Sequence, residues 1–346
     1  MLMTRAKPTA PARSLLGHVL IQGGPSDIDE LAALSDRSQS GILLTGSDSP
    51  ASARTLIRRG YSGSILLDAG RYAGNSRSLG SRNLDPRWID HQRALGAPSA
   101  LTDSGYVGRG DHKSLVNVLS QAANLGPGVT ALLPINPSWL NNDLERLRAE
   151  IRNHDVPIAV ALEHRADPLG ARQTMSGLVS LLQEPVPVAL IRTDVSAIGA
   201  VAFGASWSAI GLRTSLRHIY PIVESSGVHA PSMSALLPAA LSFLTLGKIA
   251  AGYAATSDDP AWICNCSVCG GRTLDSLLYR PDQANAHSFE VLLDILEHTT
   301  RVSVGEVRRQ SWRAQCASAL FYFDSLHLRG LAWRQTANLK HWRHMR

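Results

Sequence analysis

Sulfur is scarce in this chain: its 346 residues include four cysteines, Cys264, Cys266, Cys269 and Cys316. Three fall within six residues, which excludes a distributed disulfide framework as the device that holds the fold. A reducing cytoplasm is the expected compartment. Also missing is any stretch of 18 apolar residues free of charge or break. The longest candidate, 235–246, is too short to span a bilayer and reads as a buried helix, so no membrane partner is expected. The N-terminal MLMTRAKPTAPARS is basic and proline-rich but has no apolar segment after it, which predicts a loose arm and not a signal peptide. No G-x-G-x-x-G or Walker sequence follows a strand-like run, although GYVGRG at 105–110 is superficially similar. Folds built around a phosphate-bearing cofactor therefore lose weight.

What is present is a globular composition. Hydrophobic residues make up 44% and charged residues 18%, with 28 glycines and 18 prolines, a balance that excludes global disorder. Mean hydropathy is -0.03. The length suits one large barrel with an appendage, or two ordinary domains. The net charge of +6 is unevenly placed. Residues 301–346 hold nine Lys and Arg against Glu306 and Asp324, so that segment carries +7 and the rest of the chain -1. Such a segment fits either a polyanion-facing surface or a solubilising helix face.

Short apolar runs recur at 18–22, 41–45, 64–68, 99–103, 129–134, 157–162, 186–192 and 207–212. None alternates cleanly between polar and apolar, as expected of parallel strands covered on both faces. Segments 27–35, 52–59, 88–95, 112–122, 142–153 and 171–182 space apolar residues three and four apart and predict crossover helices. Eight strands with intervening helices define a (β/α)8 TIM barrel better than an open doubly wound sheet. After the eighth strand the rhythm stops. A helix over 232–253, the cysteine cluster, and helices around 287–298 and 305–340 are expected there. The predicted division is a barrel over 1–221 and a helical, zinc-binding region with a basic end over 222–346.

Cys264-x-Cys266-x-x-Cys269 is the sharpest local signal. Thiolates this close can wrap one tetrahedral ion, and sulfur ligands favour zinc. Gly270 and Gly271 let the chain turn away at once. His287, opening the segment HSFEVLLDILEH, is the expected fourth ligand, ahead of His298. Four protein ligands leave no open position, so this Zn2+ is structural. Cys316 reads as a buried structural thiol.

In a barrel of this kind the active site sits at the C-terminal ends of the strands. Three strand ends present an aspartate there: Asp68, Asp103 and Asp194. Each alone fits a helix cap or an ion pair; three together suit chemistry at an acetal-like centre or a divalent-metal hydrolase. Tyr72 and Tyr106 are placed to stack on a flat ligand. Arg192, Arg213 and Arg217, near the ends of strands seven and eight, could hold phosphates or serve structural ion pairs.

With these residues in place, the sequence resembles the tRNA-guanine transglycosylase superfamily, whose barrels carry a late C-x-C-x-x-C…H zinc subdomain. Cys264, Cys266, Cys269 and His287 match that pattern, over a resemblance strongest at residues 60–110 and 255–300. LLDAGRYAG stands where the family has Asp-Ser-Gly-Gly-Phe, which implies a general-base or base-contacting role for Asp68. WIDHQRALGAPSALTD resembles the stretch ending in the family's guanine-reading aspartate, which implies that role for Asp103. Two departures stand out. The run VTALLP replaces a Gln-Gly-Gly loop, and GASWSAIGL has Ala209 where the nucleophilic aspartate belongs.

The resemblance implies exchange of guanine for a 7-deazaguanine (preQ0-like) base in DNA or tRNA. The DNA-modifying, DpdA-like branch is favoured, together with partner proteins of a DNA-modification system. The base would flip into the barrel mouth, with Asp103 reading its edge and Asp194 attacking C1′ in place of the missing residue. Asp68 would take the incoming base's proton, and two displacements would retain configuration. The alternatives are a catalytically inactive nucleic-acid-binding barrel, suggested by Ala209, and a metal-dependent barrel hydrolase.

Overall fold

The computed structural model describes residues 15–38, 40–222, 233–302 and 305–346; the N-terminal arm expected from the sequence lies outside them. The chain alternates strand and helix as β1 (His18–Gly23), α1 (Ile28–Ser38), β2 (Ile42–Thr45), α2 (Ser49–Arg58), β3 (Ile65–Asp68), α3 (Pro86–Ala94), β4 (Ala100–Leu101) and α4 (His112–Asn124). It continues through β5 (Val129–Ile135), a short α5 (Ser138–Asn141), α6 (Leu144–His154), β6 (Ile158–Leu162), α7 (Arg172–Leu181), β7 (Val188–Thr193), α8 (Ser196–Ala202) and β8 (Trp207–Gly211). The eight strands form one sheet in the order β3-β2-β1-β8-β7-β6-β5-β4, every pairing parallel. This is a nearly closed TIM-like barrel, as the strand count predicts.

Apolar residues fill both faces of each strand. On β1, Val19 and Ile21 join the layer between sheet and helices, while Leu20 points into the barrel with Leu43, Leu66, Leu101 and Leu132. Strands β6 to β8 add Ile191 and four small groups to that interior, Ala159, Ala161, Ala189 and Ala209. Tyr72 and Trp207 fill the space they leave. Ala209 is fully buried, in register with Leu20, and β8 ends in Ile210 and Gly211 without an acid.

The barrel stays short of closure at β3–β4 for a local reason. Leu101, at the end of β4, has its N–H accepted by the Gln92 side chain (3.0 Å) and its carbonyl satisfied by Gln92 Nε2 (2.8 Å) and Trp88 Nε1 (2.9 Å). Two side chains of α3 thus take the place of a neighbouring strand, which meets the requirement that buried backbone groups be paired.

The helix expected over 232–253 forms only in its second half. Residues 234–245 form an antiparallel hairpin, β9 (Ser234–Leu237) with β10 (Ser242–Thr245), and only then does α9 (Leu246–Ala255) begin. Pro238 and the left-handed Leu241 (φ 44) build the turn that breaks the helical run. A second hairpin, β11 (Ile263–Cys264) with β12 (Arg272–Thr273), carries the cysteines. Next come α10 (Ala284–Thr300), α11 (Glu306–Leu328) and α12 (Ala337–His344), where helices are expected around 287–298 and 305–340.

Helix α10 packs against α1 and α8, and its Phe289, Leu292 and Leu296 belong to the barrel's outer core. It therefore takes the place of the eighth barrel helix, and residues 233–283 form an excursion between β8 and that helix. Trp312, Cys316 and Leu320 of α11 and Leu339 and Trp342 of α12 join the same core. No helix among the described residues is long and apolar enough to cross a membrane.

Candidate active site and metal centre

Cys264, Cys266, Cys269 and His287 bring four ligand atoms within 4.8 Å of one another. His287 Nδ1 lies 3.4, 3.5 and 3.4 Å from the three sulfurs. Zinc bonds of about 2.3 Å to sulfur and 2.0–2.1 Å to nitrogen, at tetrahedral angles, imply a sulfur–nitrogen edge of about 3.5 Å. The donor set and its spacing fit a structural zinc ion. Backbone turns hold the knuckle: Gly270 N–H donates to Cys266 O and Gly271 N–H to Cys264 O, with both glycines at positive φ. The ring's other nitrogen, Nε2, is 2.9 Å from Leu236 O on the β9 hairpin. That bond keeps the proton on Nε2 and leaves Nδ1 to face the metal. His298 sits about three helical turns further along α10, bonded to Asp294.

The barrel mouth carries two networks built alike. In the first, Asp68 closes β3 fully buried. Its Oδ2 accepts from Tyr72 OH (2.6 Å), Thr45 Oγ1 (3.1 Å) and Gln22 Nε2 (3.3 Å), and its Oδ1 accepts from the Gly70 amide (2.8 Å). Arg192 crosses from β7: its Nε donates to Tyr72 OH and its amide to Gln22 Oε1, both at 2.9 Å. It does so from φ 50, a strained conformation for a residue with a Cβ, which the network holds in place. In the second, Glu163 follows β6. It accepts from Tyr106 OH and pairs with Arg77, each at 2.5 Å, and Asn136 Nδ2 donates at 3.2 Å. Arg77 lies 3.7 Å over the Tyr106 ring. Burial, more than any other cause, pushes both tyrosine hydroxyls well above the ordinary range.

Asp103 lies between the two. Its Oδ1 accepts the Asp85 amide (2.9 Å), while Arg71 and Arg82 approach Oδ2 at 3.3 and 3.6 Å. That buried Oδ2 accepts no hydrogen bond. Burial raises the carboxyl's pKa, against the Asp85 amide and Arg82, which lower it. A cleft of about 780 Å³ opens beside it, lined by Arg54, Gly70, Arg71, Asp85 and His91 among others. A second, of about 450 Å³, is lined by Arg109, Asn136, Glu163, His164 and Arg165.

Asp194 stands apart. Its Oδ1 accepts the Ser196 amide (2.9 Å), so it caps α8, and its Oδ2 receives Asn338 Nδ2 of α12 (3.4 Å). Nearby Asp167 has its carboxyl pushed up to about 7, first by burial and then by the Asp194 charge. His218, held down to about 4 by burial, and Arg217, held down to about 10 by the same cause, also feel Asp194.

Of the expected site residues, Asp68, Tyr72 and Arg192 meet in one network, and Asp103 is joined to their loop through Arg71. Tyr72 and Tyr106 are buried, with their rings inside the barrel and their hydroxyls on carboxylates. Arg213 pairs with Asp27 and Glu30, and Arg217 lies 3.4 Å over the Phe243 ring. Sequence reasoning missed Gln22, Thr45 and Gln92. The first two had a signal, since each is the polar residue closing an apolar run, as Asp68 closes its own.

No protein-family model matches this chain, and no curated protein matches its sequence. Among solved structures, 3-hexulose-6-phosphate synthase is similar at a TM-score of 0.36 and 15% identity, over 56% of this chain and 88% of that one. At that level the likeness carries no functional argument. Fold and site define a β/α barrel with a polar, arginine-bridged mouth and a structural Cys3His zinc knuckle.

Proposed function

We propose that this chain is a nucleic-acid-binding barrel that reads a guanine-type base with Asp103. The observation that carries the reading is Asp103 Oδ2, a buried acceptor flanked by two arginines that receives no hydrogen bond. Buried acceptors are normally satisfied. The Watson–Crick edge of guanine offers two adjacent N–H donors of the kind such a carboxylate takes. Asp68, Tyr72 and Arg192 then act as a positioning network, since both oxygens of Asp68 are already engaged.

A second reading adds catalysis: exchange of that guanine for a 7-deazaguanine, in DNA ahead of tRNA. It is favoured by the Asp167–Asp194 pair, in which one carboxyl holds its proton near neutrality beside another carboxylate, the division of labour that glycosyl transfer uses. Against it, β8 has no acid and Asp194 is bonded through both oxygens. The metal-dependent hydrolase finds little support. Among the described residues, the knuckle is the one grouping of three or more His, Cys, Asp or Glu close enough to share an ion.

Calorimetric titration of guanine, 7-cyano-7-deazaguanine and adenine separates these readings. Guanine is expected to bind in preference to adenine. Asp103→Asn is expected to weaken guanine about 10- to 100-fold, the loss of a charged hydrogen bond worth about 1.5–3 kcal/mol. Equal binding of adenine, or an Asp103→Asn variant with unchanged affinity, refutes the base-reading role. Incorporation of labelled guanine into DNA or tRNA would add the catalytic step.

A further inference from the structure

The +7 segment does not present its charge evenly. Arg301 pairs with Glu297, Arg309 and Arg313 with Glu306, and Arg329 with Asp258 and Asp259. Buried Arg308 bonds the Val302 and Thr300 carbonyls. The cations left without a carboxylate among the described residues gather on α12 and its flanks: Arg334, Lys340, Arg343 and Arg346, all exposed. A spacing of three residues puts Lys340 and Arg343 on one helix face, and Arg346 follows just beyond the helix. Between that helix and α7 runs a groove of about 860 Å³, lined by Arg172, Lys340, His341, His344 and Arg346. Among the described residues no acidic side chain lines it; the Ser176 and Ser180 hydroxyls in its lining donate to Met345 Sδ and to Ser176 O.

Like charges gathered without counter-ions repel, and the arrangement becomes favourable when an anion sits among them. The groove also starts beside the barrel mouth. His341 Nε2 bonds Gly170 O in the loop after β6, and Asn338, on the first turn of α12, touches Asp194 after β7. We infer that the α7–α12 groove holds the phosphodiester backbone of a nucleic acid and presents it beside the barrel mouth. The proposal rests on the nucleic-acid reading above. It assigns the backbone to a surface, where that reading assigns only the base.

The test measures binding of a fluorescent 24-base-pair duplex DNA, and separately of tRNA, to the full chain across a salt series. The Arg172→Ala/Lys340→Ala/Arg346→Ala variant, which removes the groove's Lys and Arg charges, is expected to flatten the log–log salt slope. The change should be about 0.9 for each phosphate no longer neutralised on duplex DNA and about 0.7 on single strands. The Arg172→Lys/Lys340→Arg/Arg346→Lys variant keeps the charges and is expected to keep the slope. Arg301→Ala/Arg309→Ala, which removes paired arginines from the same segment, is expected to leave it unchanged. A slope unchanged in the triple alanine variant, or lowered equally by Arg301→Ala/Arg309→Ala, overturns the assignment. So does loss of binding to phosphatidylglycerol vesicles with nucleic-acid binding intact. Guanine affinity, measured on the same proteins, is expected to be unaffected. Its absence in wild type would refute the base-reading site without touching the groove.

Discussion

Asp194 shows how little a residue's position at a strand end reveals of its role. The end of β7 is where a barrel keeps reactive groups, yet this carboxylate caps α8 and anchors α12. Its neighbour Asp167 is more informative, because a carboxyl held at about 7 binds its proton more tightly in the folded chain than in the unfolded one. Stability from that proton is complete below the unfolded value of about 3.9 and is lost as pH rises through 7. His218 acts in the opposite sense over the window from its unfolded value of about 6.5 down to about 4, so the test must compare variants. Relative to Asp167→Asn, wild type is expected to lose melting temperature between about pH 5.5 and pH 8. Asp194→Asn should shrink that difference by removing the second charge while keeping the α8 cap. If all three proteins show parallel melting against pH, the pair is not coupled to folding.

At the level of elements, the sequence is legible where one physical rule dominates. All eight strands lie where continuous apolar runs place them, because burial on both faces leaves a run that few other structures produce. The zinc ligands were equally plain, since thiolate spacing and a nearby histidine encode the geometry locally. The β9–β10 hairpin was missed because 235–246 is apolar throughout, and periodicity cannot separate a buried strand pair from a buried helix. Gln92 was illegible for another reason: its role as a substitute strand edge exists only once α3 has packed on β4. Cys266→Ser is expected to release zinc and to expose the hairpin region 234–273 to proteolysis before the barrel, since structural zinc contributes folding free energy. Full zinc retention with unchanged melting would remove the site.

For the whole molecule, the C-terminal helices are part of the barrel's packing and not an accessory. Gly199 of α8 lies so close to them that a Cβ there would stand 2.6 Å from Trp312 Nε1 and 2.7 Å from Trp342. Truncation after Thr300 uncovers the surface against which Trp312, Leu320, Leu339 and Trp342 are buried. At about 1.5–3 kcal/mol for each large apolar side chain, that loss rivals a domain's entire stability of about 5–15 kcal/mol. The truncated chain is expected to be insoluble or to melt far below the full one by circular dichroism. A cooperative transition at the original temperature would contradict this packing.

His287 belongs to two structures at once, as a knuckle ligand and as a residue of the helix that completes the barrel's outer ring. That helix also meets the first one, with Asn285 donating to Glu30 across 255 residues of sequence. Contacts this far apart in the chain form late and slow the search for the native state. During synthesis, the seam between the first and last strands stays uncovered until almost the whole chain has emerged. The metal sits on the piece that covers it. A chain without the metal is expected to leave that flank less firmly covered, since structural zinc contributes folding free energy.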